Sequence, residues 1–196
     1  RLVERIAAAR GMDVTETAVG FKWLVEEMLH GDVLIAGEES GGIGIPDHLP
    51  ERDGMANGLL LLQALAESNG GRAPTPGISS ATGGPLADRL EALAREATWA
   101  HAYDRVDLPL ESAAAKDRVL AALDEDPTTL WGRDVDFVER RDGVKVNFGD
   151  GAWVLFRASG TEPLLRIYCE AHTRKDVEGL LEAARTFVRD RAGAAA

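Results

Sequence analysis

Leu165, Ile167, Cys169 and Ala171 alternate with Arg166, Tyr168 and Glu170. A period of two gives one apolar face only to an extended chain, so this segment is a strand lying on a core. The same grammar runs back through the second half. Val144, Val146 and Phe148 alternate with Lys145 and Asn147, and Val135 and Phe137 alternate with charged residues. Arg141-Asp142-Gly143 is a hairpin signal, and Gly149-Asp150-Gly151 turns the chain into the run Ala152 to Phe156. Val106 to Leu110 is a further candidate strand. Helices are expected from Ser112 to Leu123, capped by Ser112, and over a final amphipathic stretch using Val177, Leu180, Leu181, Ala184, Phe187 and Val188. Thr173 and Asp176 fit a capping box at the start of that stretch. An antiparallel meander with segregated helices predicts an α+β domain.

The first half reads differently. Leu2 to Arg10 is a helix end stopped by Gly11, and Val14 to Val19 is a short extended candidate. Phe21, Leu24, Val25, Met28 and Leu29 have helical spacing, closed by Gly31. Val33 to Ala36 reads as a buried strand that runs into Gly37-Glu38-Glu39-Ser40-Gly41-Gly42. Asp53 is placed to cap a long apolar helix from Gly54 to about Glu67, and Leu86 to Ala97 is again helical. Strand alternating with helix predicts an α/β layer, a mixed sheet with helices, built around parallel strands. Ser68 to Pro85, rich in Gly, Pro, Ser and Thr, reads as a linker or exposed loop. Two domains are therefore expected, 1–100 and 101–196. The chain opens on Arg1 inside a helical pattern, which reads as the middle of a longer polypeptide.

Charge limits the partners. The formal net charge is −11, and an acidic surface repels phosphate backbones, so nucleic acid is not an expected partner. Cys169 is the only cysteine, which excludes an intrachain disulfide. No apolar run approaches the roughly 18 residues that span a membrane, and no secretory signal is visible, so a cytoplasmic location is expected.

An anionic ligand must then be met by local positive charge. Arg157-Ala158-Ser159-Gly160-Thr161-Glu162-Pro163 interrupts a strand pattern with the groups that could do so. Arg157 offers a planar fork suited to phosphate oxygens. Ser159 and Thr161 add hydroxyl donors, and Gly160 lets backbone N–H groups approach an anion closely. The same residues also suit a polar hairpin tip whose hydroxyls satisfy their own backbone. In the first half, Glu38 and Ser40 among glycines suit vicinal sugar hydroxyls, because a carboxylate accepts two O–H bonds. Glu38 stands where a serine-hydrolase elbow needs glycine, so that reading fails. Two acids beside glycines are also compatible with a merely solvated loop. Lys22 stands at a helix start, where most lysines are plain surface residues. His30, His48, His101 and His172 have no metal-binding spacing, and only His48 sits near a candidate loop.

Three segments in this order resemble the α-D-phosphohexomutases of the phosphoglucomutase/phosphomannomutase type. They are Thr17-Ala18-Val19-Gly20-Phe21-Lys22, Gly37-Glu38-Glu39-Ser40-Gly41-Gly42 and Arg157 to Pro163, with Glu51-Arg52-Asp53-Gly54 also fitting. The resemblance implies that this chain is most of a third domain plus all of a fourth. The fourth would carry an antiparallel four-stranded sheet like that of the TATA-box-binding protein. Glu38 and Ser40 would belong to a sugar-binding loop. Arg157, Ser159, Gly160 and Thr161 would belong to a phosphate-binding loop, and Lys22 would contact ligand.

The implied reaction interconverts hexose 1-phosphates and 6-phosphates of glucose or mannose. It runs through a phosphoserine and a 1,6-bisphosphate, which also serves as activator, with Mg²⁺ at the transferring group. Neither the family's phosphoserine loop nor its magnesium loop is present, so no catalytic or metal residue is expected in this chain. Alone it is expected to be inactive, its partners being a hexose phosphate and the N-terminal domains of the same enzyme. Some relatives carry a histidine after the Ser-Gly of the sugar loop, where this chain has Gly42, so no acid/base role transfers. A phosphoglucosamine mutase and a stand-alone sugar-phosphate-binding module are the alternatives.

Overall fold

The structure, a computed structural model, describes residues 2–68, 85–98, 102–123, 127–159 and 162–192. The stretch expected as a linker between Ser68 and Pro85 lies outside the described residues. The chain divides into two compact units, Ile6–Ala97 and Thr98–Ala196 together with Arg1–Arg5.

Helix α1 (Leu2–Ala9) runs across that division, and the first unit contains helices α2 (Phe21–His30), α3 (Gly54–Ser68) and α4 (Pro85–Glu96), and strands β1 (Ala36–Gly37), β2 (Ile43–Ile45) and β3 (Leu49–Arg52). Phe21 and Met28 are the buried residues of α2. They lie directly on β2: a Cβ at Gly44 would stand 2.9 Å from Met28 Cε and 3.1 Å from Phe21 Cζ. Glycine there lets the helix close onto the strand. Asp53 caps α3 as expected, its Oδ1 accepting from the N–H groups of Met55 (3.0 Å) and Ala56 (2.9 Å). The Ala56 bond, then the bond from His48, holds the Asp53 carboxyl below its ordinary pKa.

The expected parallel sheet is overturned. The three strands lie in the order β1-β2-β3, and both pairs are antiparallel. The connecting loops, 38–42 and 46–48, are hairpin length, whereas a parallel pair needs a crossover of about a dozen residues or more. Val14 to Val19 forms no strand, and only Ala36 of the Val33 to Ala36 run enters β1. Leu34 and Ile35 are exposed rather than buried.

The second unit comprises β4 (Ala102–Pro109), α5 (Ala113–Ala121), β5 (Thr129–Leu130), β6 (Arg133–Glu139), β7 (Val144–Phe148), β8 (Trp153–Ala158), β9 (Leu164–Ala171) and α6 (Arg174–Ala192). Its antiparallel sheet has the order β4-β9-β8-β7-β6-β5, so it is six-stranded where four strands were expected. Both additions are at edges. Strand β4 pairs with β9 along its whole length, and β5 folds back on β6 through Trp131-Gly132. Both turn residues have positive φ (53° and 75°), the geometry of a two-residue hairpin, but Trp-Gly is not its usual sequence signal.

One face of this sheet carries Val146, Phe148, Val154, Phe156, Leu165, Ile167 and Cys169, packed against Val119 and Leu123 and against Val177, Leu180, Ala184 and Val188 of α6. The caps expected for both helices form. Ser112 Oγ accepts from Ala115 N–H at 3.2 Å. Thr173 Oγ1 accepts from Asp176 N–H at 3.1 Å and donates to its carboxylate at 2.6 Å.

Burial pushes the Cys169 thiol up to about 12. Cys169 should therefore resist iodoacetamide at pH 8, where an open thiol is partly ionised, and react once denaturant unfolds the unit. Mass spectrometry of native and denatured samples checks this, and rapid native labelling would contradict the buried placement.

The opposite face is polar but not open. Lys145 and Asn147 are only 8% and 1% exposed. Asn147 Nδ2 donates to Glu139 Oε1 at 3.0 Å, and Lys145 Nζ lies 3.6 Å from the same oxygen. Trp153 Nε1 donates to Glu170 at 3.0 Å. The mutual pairing satisfies these side chains, as burial demands.

Candidate functional site

The chain between β8 and β9 is narrowed at its base. Ser159 N–H donates to Leu164 O at 2.8 Å, extending the ladder one step past β8. Leu164 N–H donates to Glu162 O (2.8 Å), and Leu110 N–H donates to Pro163 O (2.7 Å), tying the far side to the segment after β4. Ser159 is buried. Gly160 and Thr161 lie outside the described residues.

Arg157 is the last residue but one of β8, under this loop, and its Nε donates to Asp142 Oδ2 at 2.8 Å. Burial opposes its charged form, but the bond and charge of Asp142, with a smaller contribution from Tyr168, outweigh that and raise its pKa above the ordinary value. Arg157 is firmly cationic. Asp142 reaches it from the hairpin between β6 and β7 because Gly143 allows close approach. A Cβ at Gly143 would lie 2.2 Å from Phe156 O and 3.1 Å from Arg157 Cα, and its φ is +93°. Only glycine meets both demands.

Directly across the ladder from Arg157 stands Arg166. Residues opposite one another in an antiparallel pair share a face, so two guanidinium side chains flank the loop on one side of the sheet. Arg166 Nε is buried and has no hydrogen-bond partner among the described residues. Its nearest carboxylate oxygen, Asp107 Oδ2, is 3.8 Å away, an ion-pair distance but not a hydrogen bond. A buried donor left unmet next to a like charge is a feature that an anion would repair.

A third cation approaches from the helix layer, where Lys116 Nζ on α5 donates to Ser159 O at 3.2 Å. Sequence reasoning singled out Arg157 and Ser159 but missed Arg166, Asp142 and Lys116. The signal for Arg166 was available, since a hairpin pairs residues equidistant from its loop, and 157 and 166 are equidistant from the 159/164 closure. No local signal marks Lys116 or Asp142, whose relation to the loop is created by packing.

In the first unit, Glu38 is half-buried at the end of β1, while Ser40 is exposed at the hairpin tip. Glu38 N–H donates to Gly42 O at 2.9 Å, and Gly41 N–H donates to Glu38 O at 3.0 Å. Arg52 Nη1 lies 3.6 Å from Glu38 Oε2, and its guanidinium sits 4.7 Å over the Phe21 ring. The Arg52 stem lies against Gly42, where a Cβ would stand 2.8 Å from Arg52 Cδ. The structure thus brings Glu38 beside a cation that sequence reasoning noted only as part of a motif. Lys22 is exposed, its ammonium 4.5 Å over the neighbouring Trp23 ring, and no ion pair joins it to Glu38. His48 Nε2 is 2.9 Å from Asp53 Oδ2 and so is tied to the cap of α3. Among the described residues no group of three or more His, Cys, Asp or Glu side chains is arranged to hold a metal ion.

Two family models match the chain in order. Phosphoglucomutase/phosphomannomutase, alpha/beta/alpha domain III, covers residues 1–93, and the phosphoglucomutase/phosphomannomutase C-terminal domain covers residues 105–186. A phosphoglucosamine mutase of Acidothermus cellulolyticus is 34% identical over 186 residues, 95% of this chain and 33% of its own length. A phosphoglucomutase/phosphomannomutase of Thermococcus kodakarensis is 32% identical over 181 residues, 92% of this chain and 34% of its own. This chain therefore spans about a third of the length of these relatives. A crystal structure from Thermus thermophilus, described as that of a candidate phosphomannomutase, superposes with a TM-score of 0.69 at 40% identity, covering 96% of this chain and 34% of that one. Because both domain models match in their expected order and the relatives align over nearly all of its residues, the chain belongs to the phosphoglucomutase/phosphomannomutase family of α-D-phosphohexomutases, of which it carries domain III and the C-terminal domain.

Proposed function

We propose that this chain is the C-terminal portion of a mutase that interconverts hexose 1-phosphates and 6-phosphates through a phosphoserine and a 1,6-bisphosphate. In this reading it grips the phosphate that is not being transferred and reads the sugar hydroxyls. The observation that carries it is the pair Arg157 and Arg166, facing each other at the base of the loop, one guanidinium carrying an unmet buried donor. Arg157 presents a charge held in place by Asp142, and Ser159, Gly160 and Thr161 supply hydroxyl and backbone donors. Glu38 and Ser40 take ring hydroxyls, and Lys22 adds a cation. An anion site of this kind recognises phosphate whichever carbon bears it, as a reaction through a 1,6-bisphosphate requires.

The N-terminal domains of the same enzyme, the 1,6-bisphosphate activator and a cytoplasmic location belong to the same proposal, as does a fourth domain of TATA-box-binding-protein type. So does the inactivity of this portion alone. The described residues do not fit a Mg²⁺ site.

Glucose and mannose phosphates share the proposal with glucosamine phosphate, because the relatives aligning over more than nine-tenths of the chain carry both kinds of name. Steady-state turnover of the full-length protein on glucose 1-phosphate, mannose 1-phosphate and glucosamine 1-phosphate decides among them. Turnover of none would sink the mutase reading.

Arg166→Leu tests the phosphate grip itself. Losing a charged hydrogen-bond donor should weaken binding of glucose 6-phosphate to the chain by about 10- to 100-fold. The melting temperature should change little, because the apolar side chain removes an unmet Nε donor and forfeits only a partly exposed 3.8 Å ion pair with Asp107. Unchanged affinity in the folded variant would refute the assignment.

A further inference from the structure

We propose that Lys116 is a positioning residue of the phosphate loop, anchoring the Ser159 carbonyl from the helix layer. The inference rests on the loop being a phosphate site and extends it to an element outside the family's loop motif. Helix α5 is a firm base for such an anchor. Its start is capped by Ser112, and Ala115 and Val119 are 2% and 0% exposed, so its rotation about its own axis is locked by the core. Lys116 follows Ala115 directly, is half-buried, and places Nζ 3.2 Å from Ser159 O.

Ser159 is held from two directions by this arrangement. Its N–H is spent on Leu164 O, which closes the hairpin, and its carbonyl is taken by Lys116. With its N–H and its C=O both engaged, the Ser159 backbone at the base of the loop is held in place before any ligand arrives, which lowers the ordering cost of binding.

The charge of Lys116 supports the same role. Arg157 has Asp142 at 2.8 Å, and Arg166 has Asp107 at 3.8 Å. Among the described residues no carboxylate pairs with Lys116, whose partner is a neutral carbonyl. A half-buried ammonium bonded to a neutral carbonyl is partly desolvated. Its field therefore adds to that of the two arginines, from the helix layer rather than from the outer face of the sheet.

The test uses the 196-residue chain, with inorganic phosphate as the probe, followed by nitrogen-15 NMR titration, with melting temperature as the fold check. Lys116→Met should weaken phosphate binding about tenfold with the melting temperature unchanged, and Lys116→Arg should restore it to within about threefold. Unchanged affinity in Lys116→Met, together with lost affinity in Arg157→Ala, would overturn the role of Lys116 and leave the phosphate site standing. A parallel fall in melting temperature and affinity that Lys116→Arg does not repair would reduce Lys116 to a structural residue and overturn the proposal. Absence of phosphate binding by the unaltered chain would overturn both the site and the anchor.

Discussion

Arg157→Ala should lower the affinity of the chain for glucose 6-phosphate by between about 30-fold and about 5,000-fold while leaving the fold in place. Removing one member of a partly buried, hydrogen-bonded charge pair typically costs about 2–5 kcal/mol of binding. Two effects of the truncation act together. The ligand loses a guanidinium held by Asp142 at 2.8 Å, and Arg166 is left without the cation it faces across the ladder. Stability should change little, because Asp142 and Arg157 are both partly exposed and Asp142 can hydrate once released. Calorimetric titration beside a thermal melt reads both. A folded variant that binds as tightly as the unaltered chain would remove Arg157 from the site.

The second large effect is on stability. Gly143→Val should destabilise the second unit by about 4 kcal/mol or more, enough to threaten the folded state of a marginally stable domain. The new Cβ would meet the Phe156 carbonyl oxygen at 2.2 Å, and backbone φ is +93°. No rotamer relieves a clash made by Cβ itself against backbone, and a β-branched residue at positive φ adds strain. Relief requires the hairpin to lift, which carries Asp142 away from Arg157, so phosphate binding should fall in whatever fraction remains folded. Gly179→Ala is the comparison. Gly179 lies within α6 with nothing within 4 Å of the added Cβ, so alanine there should stabilise by about 0.5–1 kcal/mol. Urea denaturation of both variants settles it, and a Gly143→Val protein with an unshifted midpoint would contradict the close packing.

How much of this was readable beforehand varies by element. Alternation in Val144 to Phe148 and Leu165 to Ala171 announced the core strands, and Ser112, Asp53 and the Thr173/Asp176 pair marked helix starts that the structure reproduces. The sheet of the first unit was misread. A compact apolar run resembles a buried parallel strand wherever its partners are not in view, yet Leu34 and Ile35 are exposed and the neighbouring strands are joined as hairpins. Of the edge strands, β4 was anticipated only in its second half, as Val106 to Leu110, because Asp104 and Arg105 blur the rest, and β5 escaped because Trp131-Gly132 disguises the turn that makes it.

The loop from Arg157 to Pro163 was legible as chemistry, because residue type alone tells which groups can bind an anion. Its surroundings were not. By itself the sequence determined the strand and helix periods, the caps and the donor types, since these act between residues a few positions apart. Tertiary structure alone decided that Arg166 faces Arg157, that Asp142 reaches across from another hairpin, and that Lys116 meets Ser159, pairs that lie 9, 15 and 43 positions apart. Strand register, close approach at Gly143 and docking of α5 on the core bring those groups together, and each depends on free energy summed over many distant contacts rather than on any local run of residues.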